Sequence, residues 1–510
     1  MALAKPSRGF PAGRRIITYA AILLFFLAAQ YVSIRWMGVS MLEYLQEEFM
    51  FVIGLPILGL IVNLIIRAWR VRKIRKLYGD GREGYVFDLR EKDIEETNAQ
   101  NQPICGEYDA DCAVKTKTGV YVGEKYKKSM IYLGIPYAKP PVGELRWRAP
   151  EPLPASEAVF EAVNFGAPAI QVEHKGSIIK HHRQSEDCLT LNICVSAQET
   201  DAKKPVLVLF HSGDFSYGGS VDPLMDGTDF AGSHPDIVFV SFNYRLGIFG
   251  FIDFSEIPGG DARPDTLNLG LLDQIAALKW IRENIAAFGG GPDQITVLGF
   301  ESGASSILLL ANSGQAKGLF RRAFAFGGSL EVAYDTPQAA RTLAKDLLSQ
   351  TQTMTMADLL QLKTEDLKDA VQRLWQNLCA PTCDGKLISK QVYEACKQVA
   401  ASGIEFVIGL SSHEANVFRS FVGDQKYADG IAAAVADMQS VLDDATASAV
   451  QAYIEAQTAA SNALEAKTKL VEQWNALCIY RTAVKLDVGG NPVHLLYWDE
   501  KPLIENLGKR

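Results

Sequence analysis

Residues Ile295 to Ser306 read I-T-V-L-G-F-E-S-G-A-S-S, which sets a carboxylate and a hydroxyl side by side between two glycines. Ile295, Val297 and Leu298 have the form of a buried strand, Gly299 opens a tight turn, and Gly303 to Leu310 begins a helix in small residues. That is the strand-turn-helix of a nucleophile elbow, G-x-S-x-G, which holds a serine hydroxyl on a strained turn at a helix N-terminus. Here the residue between the glycines is Glu301, and Ser302 comes one place later. With Glu301 at the apex the elbow keeps both glycines and loses its hydroxyl. With Ser302 at the apex it keeps the hydroxyl and loses both glycines.

An elbow needs a sheet beneath it. Val206 to Phe210 and Ile237 to Phe242 read as strands apolar on both faces, Leu269 to Ile285 as a helix, and the elbow strand follows. Such alternation predicts an α/β fold with a mostly parallel central sheet and helices on both faces. From about Ile431 to Ala483 the chain is Ala-rich and helical in pattern. At 510 residues, 48% hydrophobic and 22% charged, there is ample material for a large core.

The net charge of -8 is unevenly spread. Residues 1 to 82 hold 12 Lys/Arg against 4 Asp/Glu, a surplus of 8, which leaves -16 for the remainder. The acidic body argues against nucleic acid as a partner, and the basic head beside apolar sequence points to a membrane. Residues 16–34 and 49–66 are uncharged apolar runs, close to the ~20 residues that span hydrocarbon. The first, with Arg14 and Arg15 before it and Ala28 and Ala29 near its end, could instead be a signal-peptide core. Basic residues precede the first run and follow the second, whereas only Arg35 lies between them. The positive-inside bias then makes a two-helix hairpin with the large domain in the cytosol. The expected organisation is a basic N-terminus (1–15), two transmembrane helices (16–34, 49–66), a basic then acidic linker (67–113) and a globular domain (114–510).

Eight cysteines, at 105, 112, 188, 194, 379, 383, 396 and 478, do not by themselves establish disulfides in a chain this long. Cys379 and Cys383 lack a second pair or a nearby His, so they read as ordinary thiols; no metal or cofactor is expected.

Several longer stretches carry a family resemblance. Y-L-G-I-P-Y-A-K-P-P-V-G-E-L-R-W (132–147), S-E-D-C-L-T-L-N (185–192), N-Y-R-L-G-I-F-G-F (243–251) and L-G-L-L-D-Q-I-A-A-L-K-W-I-R-E-N-I-A-A-F-G-G-G-P (269–292) resemble type-B carboxylesterases and cholinesterases. So do G-L-F-R-R-A (318–323), D-G (384–385) and G-L-S-S-H-E-A-N-V-F (409–418). The resemblance implies an α/β-hydrolase fold and a register. The family's nucleophile lies 13 residues beyond the Phe of its F-G-G-D-P motif, which from Phe288 lands on Glu301, and Ser306 stands five further on, as a family serine does.

An esterase of this fold needs a serine, a histidine, a carboxylate to orient it and amide donors for the oxyanion. The resemblance places Glu301 at the nucleophile and Glu414 at the acid. The loop His211-Ser212-Gly213-Asp214-Phe215 stands where the family has H-G-G-G-F, so Gly213, Asp214 and Ser302 hold the oxyanion-hole positions. Asp214 sets a carboxylate where negative charge would develop. A carboxylate attacking an ester would form a mixed anhydride that still needs an activated water. N-P-V-H-L-L-Y-W-D-E (491–500) resembles the strand before the family's catalytic-histidine loop, and with Arg510 as the last residue the expectation is a C-terminally truncated domain without that histidine.

Arg146 with Glu186, and Arg245 with Asp273, resemble the family's structural salt bridges. Cys188 matches a family half-cystine whose partner position, near Pro168 to Gln171, holds no cysteine. The expectation is therefore a membrane-anchored, catalytically inactive member, like neuroligin and neurotactin in lacking a triad, that acts by binding a protein or a small cationic or neutral ligand. The alternatives are an active carboxylic-ester hydrolase and a carrier using the former acyl pocket.

Overall fold

The computed structural model describes residues 98–172, 179, 182–198, 203–330, 336–374, 380–389, 403–411, 428–432, 434–436, 444–460, 462–488 and 490–498. Residues Met1–Asp80 and Gly81–Arg510 separate as two units, and the described residues all belong to the second. The two apolar runs, 16–34 and 49–66, and the expected acid Glu414 lie outside the described residues. Among those described, no helix is long and apolar enough to cross a membrane.

Twelve strands are described: β1 (Ala113–Thr116), β2 (Gly119–Val122), β3 (Glu124–Tyr126), β4 (Ser129–Pro136), β5 (Val159–Glu161), β6 (Thr190–Ser196), β7 (Lys204–Phe210), β8 (Val238–Phe242), β9 (Gly290–Phe300), β10 (Arg322–Phe326), β11 (Glu405–Ser411) and β12 (Val493–Trp498). Nine form one sheet in the order β12-β11-β10-β9-β7-β8-β6-β4-β3, and β1, β2 and β5 form a second, smaller one. From β12 to β8 every neighbouring pair is parallel; β8-β6, β6-β4 and β4-β3 are antiparallel.

Alternate residues of β4, β6, β7 and β8 enter different apolar clusters. Val208, Phe210, Val238 and Val240 join the large core, whereas Leu209, Phe239, Ile131 and Cys194 join a smaller one under the short helix Thr228–Ser233. Successive strand side chains point to opposite faces, so both faces of this sheet are covered, and the strands are apolar throughout for that reason. The main covering helices are α1 (Leu269–Asn284), α2 (Ser302–Ala311), α3 (Pro337–Thr351), α4 (Asp444–Ala460) and α5 (Ala463–Val488). α1 presents Leu271, Ile275, Leu278 and Ile281 to the core, at a spacing of three and four.

The polar segment before the domain is not free along its whole length. The Asn101 side chain donates to the Leu133 and Asn164 carbonyls at 2.8 and 3.1 Å and accepts from the Val163 and Asn164 amides. The domain's hydrogen bonding thus reaches back into what composition marks as linker. Polar residues that bond backbone groups leave no periodic apolar trace.

Both expected ion pairs are formed. Arg146 meets Glu186 in a two-pronged contact at 2.7 Å, and its third nitrogen donates to the Leu362 carbonyl at 2.9 Å. Arg245 grips Asp273 at 2.6 and 2.8 Å and adds a backbone N–H bond at 3.1 Å. Cys188 is a buried free thiol, beside a backbone bridge from Ala169 to Ser185.

Candidate functional site

The elbow forms with Glu301 at its apex. β9 ends at Phe300, α2 begins at Ser302, and Glu301 between them has φ 48° and ψ -118°. L side chains rarely adopt such a backbone, at a cost of order 1–3 kcal/mol. Two bonds hold it: the Glu301 amide donates to the Phe326 carbonyl at 2.8 Å, and the Ser305 amide donates to the Glu301 carbonyl at 2.9 Å.

The glycines are needed by close approach. A Cβ on Gly299 would lie 2.5 Å from the Gly303 carbonyl carbon, and one on Gly303 would lie 2.6 Å from the Phe210 carbonyl oxygen. Both contacts are with backbone, which cannot swing aside. The register that keeps the glycines is therefore the one the fold uses. The Glu301 side chain is exposed, while Ser302 is 6% exposed and turned into the protein.

The loop after β7 faces this apex. Gly213 has φ 122°, and a Cβ there would lie 2.0 Å from the Tyr217 carbonyl oxygen. Asp214 (φ 49°) and Phe215 (φ 57°) follow, both left-handed without being glycine. The Asp214 amide donates to Ser302 Oγ at 3.0 Å. In an acyl-transfer site a backbone amide here would be aimed at an oxyanion. In this chain a neighbouring hydroxyl takes it.

Three ionisable side chains gather at the mouth. Asp214 is open to solvent yet set among protein atoms, and desolvation raises its pKa. The half-buried Tyr217 phenol is pushed up by burial and then by the carboxylates of Asp214 and Glu301. Phe300, 49% exposed, stacks on Phe326 at 5.5 Å beside them.

Beneath the loop lies His211, 3% exposed and stacked on Tyr244 at 4.1 Å. Its Nδ1 is 2.9 Å from the Ser212 carbonyl, its Nε2 is buried without a hydrogen-bond partner, and burial lowers its pKa to about 4. His494, by contrast, is exposed on β12, with Nε2 3.6 Å from Glu405. Among the described residues no group of three or more His, Cys, Asp or Glu side chains is placed to hold a metal ion.

The structure thus brings together Glu301, Ser302, Gly213 and Asp214. Sequence reasoning named His211 only as the first residue of the oxyanion loop and gave no sign of its burial; it missed Tyr217, two residues beyond that loop, and the bond from the Asp214 amide to Ser302.

The Carboxylesterase family profile matches residues 110–501. The chain belongs to the carboxylesterase family. It is 38% identical over 317 residues to the para-nitrobenzyl esterase of Bacillus subtilis (strain 168), covering 60% of this chain and 63% of that protein. It is 31% identical over 316 residues to liver carboxylesterase 1 of Mus musculus, covering 56% of this chain and 54% of that one. The match therefore spans less than two thirds of either relative. Among solved structures, a Geobacillus stearothermophilus carboxylesterase at pH 6.8 superposes with a TM-score of 0.63 at 33% identity, over 77% of this chain and 80% of that one. These likenesses agree with the α/β-hydrolase fold.

Proposed function

We propose that this carboxylesterase-family chain binds a ligand or partner at its elbow and does not hydrolyse esters. What supports the reading is Glu301 at the apex, where the chemistry needs a hydroxyl, with the adjacent Ser302 turned inward and bonded to the Asp214 amide. A carboxylate there gives a mixed anhydride with an ester. Asp214 would also oppose the negative charge of any tetrahedral intermediate. The elbow mouth, with two carboxylates, a phenol and an exposed Phe300, favours a cation or a neutral amine over an anionic acyl compound.

In detergent solution, the full chain should show no hydrolysis of short aryl esters above buffer. Glu301→Ser alone should remain at least about 100-fold slower than an ordinary family member, because one oxyanion donor stays occupied. Small organic cations should raise the melting temperature, and Glu301→Gln should abolish that rise. Ester turnover by the wild type would establish the hydrolase instead, and equal indifference to cations and anions would leave the former site as packing.

The N-terminal residues are proposed to anchor the chain as a membrane hairpin through 16–34 and 49–66, with the large domain cytosolic. This rests on the basic flanks outside both runs. A glycosylation acceptor engineered between Arg35 and Glu48 should be modified, and one near Asn98 should not. The reverse pattern would place the domain on the other side.

A further inference from the structure

We infer that Arg148 and Arg263 form a binding site for a phosphate group, free or carried by a phosphomonoester, that uses none of the elbow's residues. The site is built on the turn that follows β4. Gly143–Leu145 is a single 3-10 turn, and the Arg146 and Arg148 amides donate to the Gly143 and Leu145 carbonyls. Two other carbonyls of this stretch, those of Glu144 and Arg146, accept from guanidinium groups. Arg263 donates from Nε to the Arg146 carbonyl at 3.2 Å, from Nη2 to the Glu144 carbonyl at 3.3 Å and from Nη1 to the Ala262 carbonyl at 3.3 Å. Arg148 Nε donates to that same Glu144 carbonyl at 3.1 Å. Two guanidinium groups thus meet on one neutral oxygen.

Neither has a counter-charge of its own. The neighbouring Arg146 and Arg245 hold Glu186 and Asp273, but among the described residues Arg148 and Arg263 have no carboxylate within 4.0 Å. Arg263 is only 4% exposed, and an arginine so buried is ordinarily paired. Burial and then the charge of Arg148 lower its pKa, and the opposing pull of Glu144 is weaker than either. Carbonyl oxygens occupy N–H groups without balancing the charge, and these bonds are at the long end of the usual range.

Donors remain as well as charge. Arginine carries five N–H groups, so three carbonyl partners leave Arg263 one on each terminal nitrogen. Arg148 is exposed, and only its Nε is taken up by the protein. A ligand therefore reaches the pair from the Arg148 side. Guanidinium groups present planar forks that match the oxygens of a phosphate. A dianion balances both arginines, whereas a carboxylate balances one.

The test is calorimetric titration of inorganic phosphate into the full chain in detergent, at fixed ionic strength and mildly alkaline pH, with acetate as the monoanion control. One phosphate should bind per chain, and acetate more weakly. Arg148→Gln should weaken phosphate binding at least about tenfold, as expected when a charge-assisted contact is lost. Because that side chain is exposed, the phosphate-free melting temperature should not change. Arg263→Gln should weaken binding likewise, and if it does not fold, Arg148→Gln decides alone. Glu144→Gln, which removes the nearby negative charge, should bind phosphate at least as tightly as the wild type. Competition separates the sources of the group. Displacement by glycerol phosphate marks a soluble phosphomonoester, displacement only by phosphatidic acid in the micelles marks a lipid headgroup, and displacement by neither marks free phosphate; each of the three retains the site. Phosphate binding that does not saturate, that acetate equals, or that persists undiminished in Arg148→Gln would overturn the inference.

Discussion

Asp273→Ala should cost the domain roughly 3–5 kcal/mol, the usual penalty for removing one partner of a buried ion pair. Asp273 has no exposed surface and Arg245 almost none. Three of the contacts on Arg245 end on the Asp273 carboxylate, and a fourth reaches the Arg148 carbonyl at 2.8 Å. Without the carboxylate the guanidinium remains charged in a site that water does not reach. The paired change Arg245→Met/Asp273→Leu removes both charges and should cost distinctly less, because desolvation largely offsets the attraction in the native pair. Denaturant titration of the three proteins checks this. A single-variant loss below about 1 kcal/mol would mean that water enters the site.

The second large effect is on the acid side. His211 titrates at about 4 in the fold against 6.5 for the free side chain, because burial disfavours the imidazolium. Between those values the unfolded chain binds more protons than the folded one, so stability falls as pH falls. The His211 contribution is intact above pH 6.5, and roughly 3 kcal/mol of it should be gone by pH 4. His211→Asn keeps a donor for the Ser212 carbonyl but cannot be protonated, so its acid limb should be flatter by about that amount. Stability curves at several pH values decide it. Parallel acid limbs in the two proteins would show that His211 is not the group responsible.

Much of this was legible in the sequence because it rests on local pattern. β7, β8 and α1 begin and end within a residue or two of where the apolar runs do, and the sheet's parallel part follows from strands buried on both faces. The antiparallel third, β3, β4 and β6, was not read. β3 is short and its residues are exposed, and the bulge in β4 between Tyr132 and Ile135 breaks its alternation.

At the site, Gly299 and Gly303 fix the register because each abuts backbone; in the sequence the two candidate apexes stood open until the family resemblance counted from Phe288 to Glu301. The bond from the Asp214 amide to Ser302 could not be read at all. It joins residues 88 apart and depends on two successive left-handed residues, Asp214 and Phe215, the second of a type that rarely adopts that conformation. Tyr217 was missed for the same reason: only the folded loop carries it to Glu301 and Asp214.

The central claim is that the elbow presents a carboxylate and no reactive hydroxyl. Its most direct test is to incubate the full chain with excess organophosphonate probe and measure its intact mass, with peptide mapping of any adduct. The account predicts no adduct at residues 299–306. One phosphonyl group per chain on Ser302 would contradict it, since that hydroxyl would then be free of the Asp214 amide and acting as the nucleophile.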